Sequence, residues 1–130
     1  MKIKEVMKSV KTISSDSTVK EAASLMNRYG IGCLVVVDSK KVRGIVTERD
    51  ILKKVTAENK LPSKVFVDDI MTSKVITINS DSLIDDAVYL MIKNKIKKLP
   101  VLENNELVGI LTSTDIVANS SEVGEFYLFG

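Results

Sequence analysis

The chain has no histidine, no tryptophan and no glutamine, only one cysteine and two prolines, and an aromatic content of 5% over its 130 residues. Each shortage excludes something. Without histidine, the commonest general base and the commonest metal ligand are both missing, so an enzyme would have to run on carboxylates, lysines and hydroxyls. A lone Cys33 forms no intrachain disulfide, and in the apolar run CLVVV it reads as a small buried hydrophobe rather than a nucleophile. No apolar run approaches the roughly 20 residues of a membrane span. The opening MKIKEVMKSV alternates charged and apolar residues and lacks the unbroken apolar stretch of a signal peptide. A cytoplasmic protein with no membrane contact is expected. Charge of one sign is also scarce. The net charge of +2 does not call for a nucleic-acid partner. The adjacent pairs Asp68–Asp69 and Asp85–Asp86 sit near expected helix starts, where negative charge is favourable in any case, and no metal site is expected.

What is present is an internal repeat. Sliding the chain by 65 residues lays Val10–Leu52 on Val75–Val117 without a gap, and 17 of the 43 pairs are identical. TISSDS faces TINSDS, AASLM faces AVYLM, and GIVTERDIL faces GILTSTDIV.

Each copy predicts a βαββα order. In the first, a short strand near Val10–Ile13 leads to Ser15-Asp16-Ser17, and Thr18 with Glu21 resembles a capping box. Val19, Ala22, Ala23 and Met26 recur at helical spacing up to Tyr29-Gly30. Cys33–Val37 and Val42–Val46 read as hairpin strands around the turn Asp38-Ser39-Lys40-Lys41, and a short helix runs from Glu48 to about Val55. The second copy repeats this: strand near Val75–Ile78, helix Leu83–Asn94, strands Lys98–Leu102 and Leu107–Leu111 around Glu103–Glu106, and a helix from Ser113. Tyr89 falls within the helical pattern and reads as packing. Thr56–Val67, polar and containing Pro62, reads as a linker. One unit of about 50 residues buries too little apolar surface to stand comfortably alone. The expectation is an α/β (α+β) fold of two βαββα repeats packed sheet to sheet with pseudo-twofold symmetry. Residues 1–60 form the first repeat with the start of the linker, and 61–118 the second. Residues 119–130 form a tail whose Phe126, Tyr127 and Phe129 dock on the core or on a dimer partner.

The motifs DSTVKEAASLM and DSLIDDAVYLM, the strand pair KKLPVLENNELVGIL, and the turns GIVTERD and GILTSTD stand in order at the right spacing. On these the chain resembles a tandem pair of cystathionine β-synthase (CBS) domains, the Bateman module, over residues 5–118. The resemblance implies a stand-alone regulatory module, not an enzyme. Such modules commonly bind AMP, ADP, ATP or an S-adenosyl ligand in two clefts, usually dimerise into a flat disk, and signal to a partner protein by a change of geometry. An adenine nucleotide is thus expected as a regulatory ligand, with no enzyme cofactor.

The chemistry of the two turns suits this. A carboxylate, Asp50 or Asp115, accepts from ribose hydroxyls. A helix start, the Thr47 or Thr112 hydroxyl and the forked cation of Arg49 donate to phosphate. Thr-x-x-Asp is equally a variant capping box worth ~1 kcal/mol, and Gly44 and Gly109 could simply relieve crowding. The resemblance carries two unequal sites over to this sequence. Site one combines Ile45, Thr47, Arg49 and Asp50 with Met71, Val75, Ile96, Lys97, Lys98 and Pro100. Site two combines Ile110, Thr112, Thr114 and Asp115 with Val10, Ile31, Gly32 and Leu34. Arg49, Lys97 and Lys98 give site one the charge for a phosphorylated ligand; Thr114, Gly32 and Cys33 stand at those places in site two. The alternatives are a ligand-free interaction module and, less favoured by the modest charge, a nucleic-acid-binding CBS protein.

Overall fold

Two hairpins rich in valine, isoleucine and leucine organise the chain, and each recruits one short parallel strand to make a three-stranded sheet. The structure is a computed structural model and describes residues 1–119. The first sheet has the order β1 (Thr12–Ile13), β2 (Cys33–Asp38), β3 (Lys41–Thr47); the second has β4 (Ile78–Asn79), β5 (Lys98–Glu103), β6 (Glu106–Thr112). The two registers correspond residue for residue, Val35 opposite Ile45 and Pro100 opposite Ile110. Even the irregularity is repeated: β3 and β6 each carry one extra residue, Arg43 and Val108, beside Gly44 and Gly109. The mixed α/β class and the duplicated architecture are those expected.

Helix α1 (Val19–Tyr29) starts where the Thr18 hydroxyl accepts from the Glu21 N–H at 3.2 Å and ends at Gly30 with φ 63°. The Thr18–Glu21 cap is one-sided, not the reciprocal box expected. Helix α4 (Ile84–Asn94) ends instead on Lys95 with φ 54°, a left-handed conformation less comfortable for a side-chain-bearing residue. Its Tyr89 is 61% exposed and so does not pack into the core as expected. The helix expected from Glu48 is a single α-turn, α2 (Glu48–Ile51), followed by a π-turn over Leu52–Thr56. Helix α5 (Ser113–Ala118) is its counterpart.

The segment expected to be a linker is ordered at its end, with helix α3 over Val67–Ile70. Val67 donates to the Ser17 carbonyl at 2.8 Å and Asp68 to that of Ser15 at 3.0 Å, while Val19 donates to Val65 at 2.8 Å. The chain start does the same for the other repeat. Ile3 donates to Ser82 at 2.9 Å, Lys4 to Ser80 at 3.0 Å, and Ile84 to Met1 at 3.1 Å. Residues 3–9 and 67–73 are therefore equivalent segments, each lying before one repeat in sequence and packed on the other. Their apolar residues enter the cores: Val67 and Ile70 join Val19, Leu34, Val36 and Val46, whereas Ile3 and Val6 join Ile78, Leu99, Val101 and Leu111. Among the described residues the compact units are accordingly Val10–Val75 and Met1–Ser9 with Ile76–Asn119. The division at 60 and 61 does not follow the packing, because apolar pairs three residues apart bury each segment in the unit that its sequence neighbour does not form. The docking expected of the tail lies, from Ser120 on, outside the described residues.

Candidate functional site

Each β-hairpin delivers its last strand residue, a threonine, to the start of a short helix. In the first unit the Thr47 N–H and Oγ1–H both donate to Asp50 Oδ2, each at 3.0 Å, and the Asp50 N–H donates to Thr47 Oγ1 at 3.1 Å. In the second, Thr112 and Asp115 repeat the arrangement at 3.0, 2.8 and 3.2 Å. Both Thr-x-x-Asp turns are thus closed capping boxes. The strand end is pinned too: the N–H of Glu48 donates to Gly32 and that of Ser113 to Lys97, both at 2.9 Å.

The second oxygen of each carboxylate meets a lysine that was not among the expected site residues. Lys54 Nζ lies 3.3 Å from Asp50 Oδ1 and also donates to the Ile70 carbonyl at 2.8 Å. Lys8 Nζ lies 2.9 Å from Asp115 Oδ1. Lys54 was legible as an i,i+4 partner on the helix; Lys8 comes from the exchanged chain start and left no local signal. The sites are unequal. The Asp50 side chain is 15% exposed and that of Asp115 only 2%. Burial pushes the Asp115 carboxyl up, but hydrogen bonds from Lys8 and Thr112 outweigh it and hold the group below the usual carboxylate range.

Gly44 and Gly109 have a definite role. A Cβ on Gly44 would lie 2.7 Å from the Thr72 carbonyl and 2.8 Å from Met71 Sδ; one on Gly109 would lie 2.8 Å from Met7 Sδ and 2.9 Å from the Lys8 carbonyl. The exchanged segments cross the sheets at these points, where Ile45 pairs with Thr72 and Ile110 with Lys8. The glycines admit the crossing segment rather than merely easing a strand end.

Of the residues expected in site one, Ile45, Thr47, Asp50 and Met71 gather at the end of β3, and Arg49 is exposed on α2. Val75 is half-buried at the end of the same unit. Ile96, Lys97, Lys98 and Pro100 belong to the second unit, Lys97 exposed and Pro100 fully buried. Of site two, Ile110, Thr112, Thr114 and Asp115 gather at the end of β6, with Thr114 exposed, whereas Val10, Ile31, Gly32 and Leu34 lie in the first unit. Leu34 is fully buried in its unit's own core, so it offers no surface to a ligand within that unit. Pro100 also has no N–H, so it cannot repeat the 3.2 Å bond from Val35 to Lys11.

Within the first unit, a hollow of about 450 Å³ lies between the end of α1 and the start of α2, walled by Met26, Ile31, Gly32, Glu48 and Ile51. The Glu48 carboxylate overhangs Gly32 so closely that a Cβ there would strike it. A second hollow, about 1030 Å³, is bordered by Lys53, Lys54, Lys60 and Lys64 and contains none of the expected site residues. Among the described residues, no cluster of acidic or cysteine side chains is arranged to hold a metal, and no helix is long and apolar enough to cross a membrane.

The family model described as "CBS domain" matches twice, over residues 3–57 and 67–122. The CBS domain-containing protein YhcV of Bacillus subtilis is 34% identical over 110 residues, covering 85% of this chain and 78% of that protein. An inosine-5′-monophosphate dehydrogenase of Korarchaeum cryptofilum is 38% identical over 117 residues, 89% of this chain but only 23% of the enzyme. Among solved structures, a hexameric CBS-CP12 protein from bloom-forming cyanobacteria superimposes with a TM-score of 0.85 at 29% identity, covering 96% of this chain and 71% of that one.

Proposed function

Since the chain belongs to the CBS domain family, we propose that it is a regulatory module that binds an adenine nucleotide or S-adenosyl compound at the Asp50 turn and catalyses nothing. The observation that carries this reading is the inequality of the two carboxylates. Asp50 is the more accessible, its lysine partner is the looser at 3.3 Å, and exposed Arg49 stands one position away. A ribose diol would take Oδ1 of Asp50 by displacing Lys54, which is then free to turn toward a phosphate. The phosphate would rest mainly on the Thr47 hydroxyl, Arg49 and Lys54, the donor and cations nearest the start of α2. Asp115, buried under Lys8, would need the chain start to move before it could do the same. The match to 23% of a dehydrogenase's length suits an accessory module. The module would act through a change of packing or of self-association, read by a partner protein; a homodimer is the simplest such assembly, and the CBS-CP12 relative is a hexamer.

A thermal-shift panel of AMP, ADP, ATP, S-adenosylmethionine and NAD, on wild type and Asp50→Ala, tests this. A ligand at 100 times its dissociation constant stabilises by about 2.7 kcal/mol. The expected result is a shift with one adenosyl ligand that disappears in Asp50→Ala and survives in Asp115→Asn. One observation favours the second reading, a ligand-free interaction module: both carboxylates already have every oxygen engaged. No shift with any of the five compounds would decide for it.

A further inference from the structure

Within the first unit, the chain that follows α2 is more than a connection. From Leu52 the helix runs on as a π-turn to Thr56, and the Ala57 N–H donates to the Leu52 carbonyl at 2.8 Å. Asn59 then takes a left-handed φ of 55°, its N–H donating to Thr56 at 3.1 Å and that of Lys60 to Val55 at 3.0 Å. Pro62–Lys64 forms a short 3₁₀ helix, and the Val65 carbonyl accepts from the Val19 N–H at 2.8 Å. The reversal is therefore pinned by hydrogen bonds from one end to the other, and π-turns of this kind are frequent at functional sites. It borders the hollow of about 1030 Å³, a volume at the upper end of the range for small-molecule sites.

Four lysines border this hollow in two pairs, Lys53 and Lys54 on the π-turn, Lys60 and Lys64 beyond the reversal. Two carboxylates, Glu58 and Asp69, border it as well, so positive charge is in excess. Asp69 already accepts from the Phe66 N–H at 3.2 Å. Lys53, Lys60 and Lys64 are exposed and form no ion pair among the described residues. Lys54 gives two of its three hydrogens to Asp50 and the Ile70 carbonyl, which leaves one. Complementing the end of a helix accounts for Lys53 and Lys54, but Lys60 and Lys64 lie past that end. Nor does the common fold require these cations. The positions 65 residues on from Lys53 and Lys54 are Ala118 and Asn119, and no lysine or arginine occurs from there to Gly130.

We propose that the hollow beside the π-turn binds a small molecule through two linked phosphates, held between the Lys53–Lys54 pair and the Lys60–Lys64 pair. An ammonium suits a phosphate as a compact charge. Two pairs on two stretches of chain favour an anion charged at more than one point, as a diphosphate is and a lone phosphate is not. The site is separate from the Asp50 turn, since none of Thr47, Arg49 and Asp50 borders it; Lys54 touches both.

Titration of the full chain with sodium pyrophosphate at constant ionic strength, followed by amide NMR, reads affinity and place together. Pyrophosphate is expected to move the amide signals of residues 52–65 and to bind roughly tenfold more tightly than inorganic phosphate. Lys60→Ala with Lys64→Ala should weaken it roughly tenfold. Arg49→Ala should leave it as in wild type, and so should Lys41→Ala with Lys93→Ala, an equal loss of charge outside the hollow. With ADP as the probe, the same loss in the Lys60–Lys64 variant assigns the diphosphate to a nucleotide, and no loss assigns it to a compound without a nucleoside; both results uphold the site. Equal affinity for pyrophosphate and phosphate overturns the proposal. So does weakening by Arg49→Ala with none in the Lys60–Lys64 variant, because the anion then sits on the Asp50 turn. Equal weakening by both lysine pairs overturns it too, because the attraction then belongs to the chain's overall charge and not to a site.

Discussion

Carboxylates at the ends of strands and the starts of helices fasten this fold, and they do so by the same chemistry in both repeats. Asp38 accepts from the Ser15 Oγ at 2.6 Å and from its N–H at 3.1 Å, and Glu103 accepts from the Oγ of fully buried Ser80 at 3.0 Å. The Ser15 bonds hold Asp38 below the usual carboxylate range, and Lys4 and Lys2 do the same for Asp81. Asp81 is exposed and Asp38 half-buried. Asp115 is the buried case, depressed by Lys8 and Thr112 against the opposing effect of burial. A carboxyl whose folded pKa lies below its unfolded value stabilises the fold above the unfolded pKa, about 4, and that contribution is lost as pH falls through the folded value. Asp115→Asn should therefore cost stability at pH 7 by roughly 1.5–3 kcal/mol, the range for charged hydrogen bonds. Between pH 7 and pH 3 it should lose less stability than wild type does. Asp38 and Asp81 titrate alike in both proteins, so the difference isolates Asp115. Urea midpoints at the two pH values check it, and parallel losses would show that the Lys8–Asp115 pair contributes nothing.

At the scale of elements, the two hairpins share a register but differ in the turns that close them. Both are two-residue turns with positive φ at each central residue, 49° and 66° at Ser39-Lys40, 52° and 65° at Asn104-Asn105. Asparagine tolerates this conformation; serine and lysine do so at a cost. Replacing Ser39-Lys40 by Asn-Gly should stabilise the chain by ~1 kcal/mol, whereas Asn105→Gly should gain less. Chemical denaturation of the two variants reads the difference, and equal gains would show that the first turn is not strained. The hairpins, α1 and α4 were legible because their signals are local: apolar alternation, turn residues, and apolar residues at helical spacing. The π-turn after α2 was not, since nothing in Leu52–Thr56 distinguishes an i→i+5 ladder from an α-helix. Tyr89 misled because a helical pattern gives periodicity but not which apolar residue is left outside. At the turns, the sequence pattern supplied the Thr–Asp pairs but not their state, in which each carboxylate is shared between its own cap and a lysine.

For the whole molecule, the exchange of segments matters most, and it was the least legible feature. Residues 3–9 and 67–73 are related by a shift of 64, not 65, since Lys74 has no counterpart before Val10; a gapless comparison of the repeats stops at that point. Long-range hydrogen bonds and the shared core reveal that the chain start completes the second repeat. The consequence runs against sequence order. Deleting Met1–Ser9 removes fully buried Ile3 and nearly buried Val6 from the second unit's core, the paired bonds of Lys8 with Ile110, and the Lys8–Asp115 ion pair. The two side chains alone represent roughly 3–6 kcal/mol, comparable with the whole stability of a small domain. Hydrogen exchange should therefore show protection lost first in β5 and β6, some ninety residues from the cut, while β2 and β3 keep theirs. Ile3→Ala, at about 2–5 kcal/mol, should shift protection in the same direction without removing the chain start. Loss confined to β1–β3 would mean that residues 1–9 serve the repeat they precede, and the exchange would have to be abandoned.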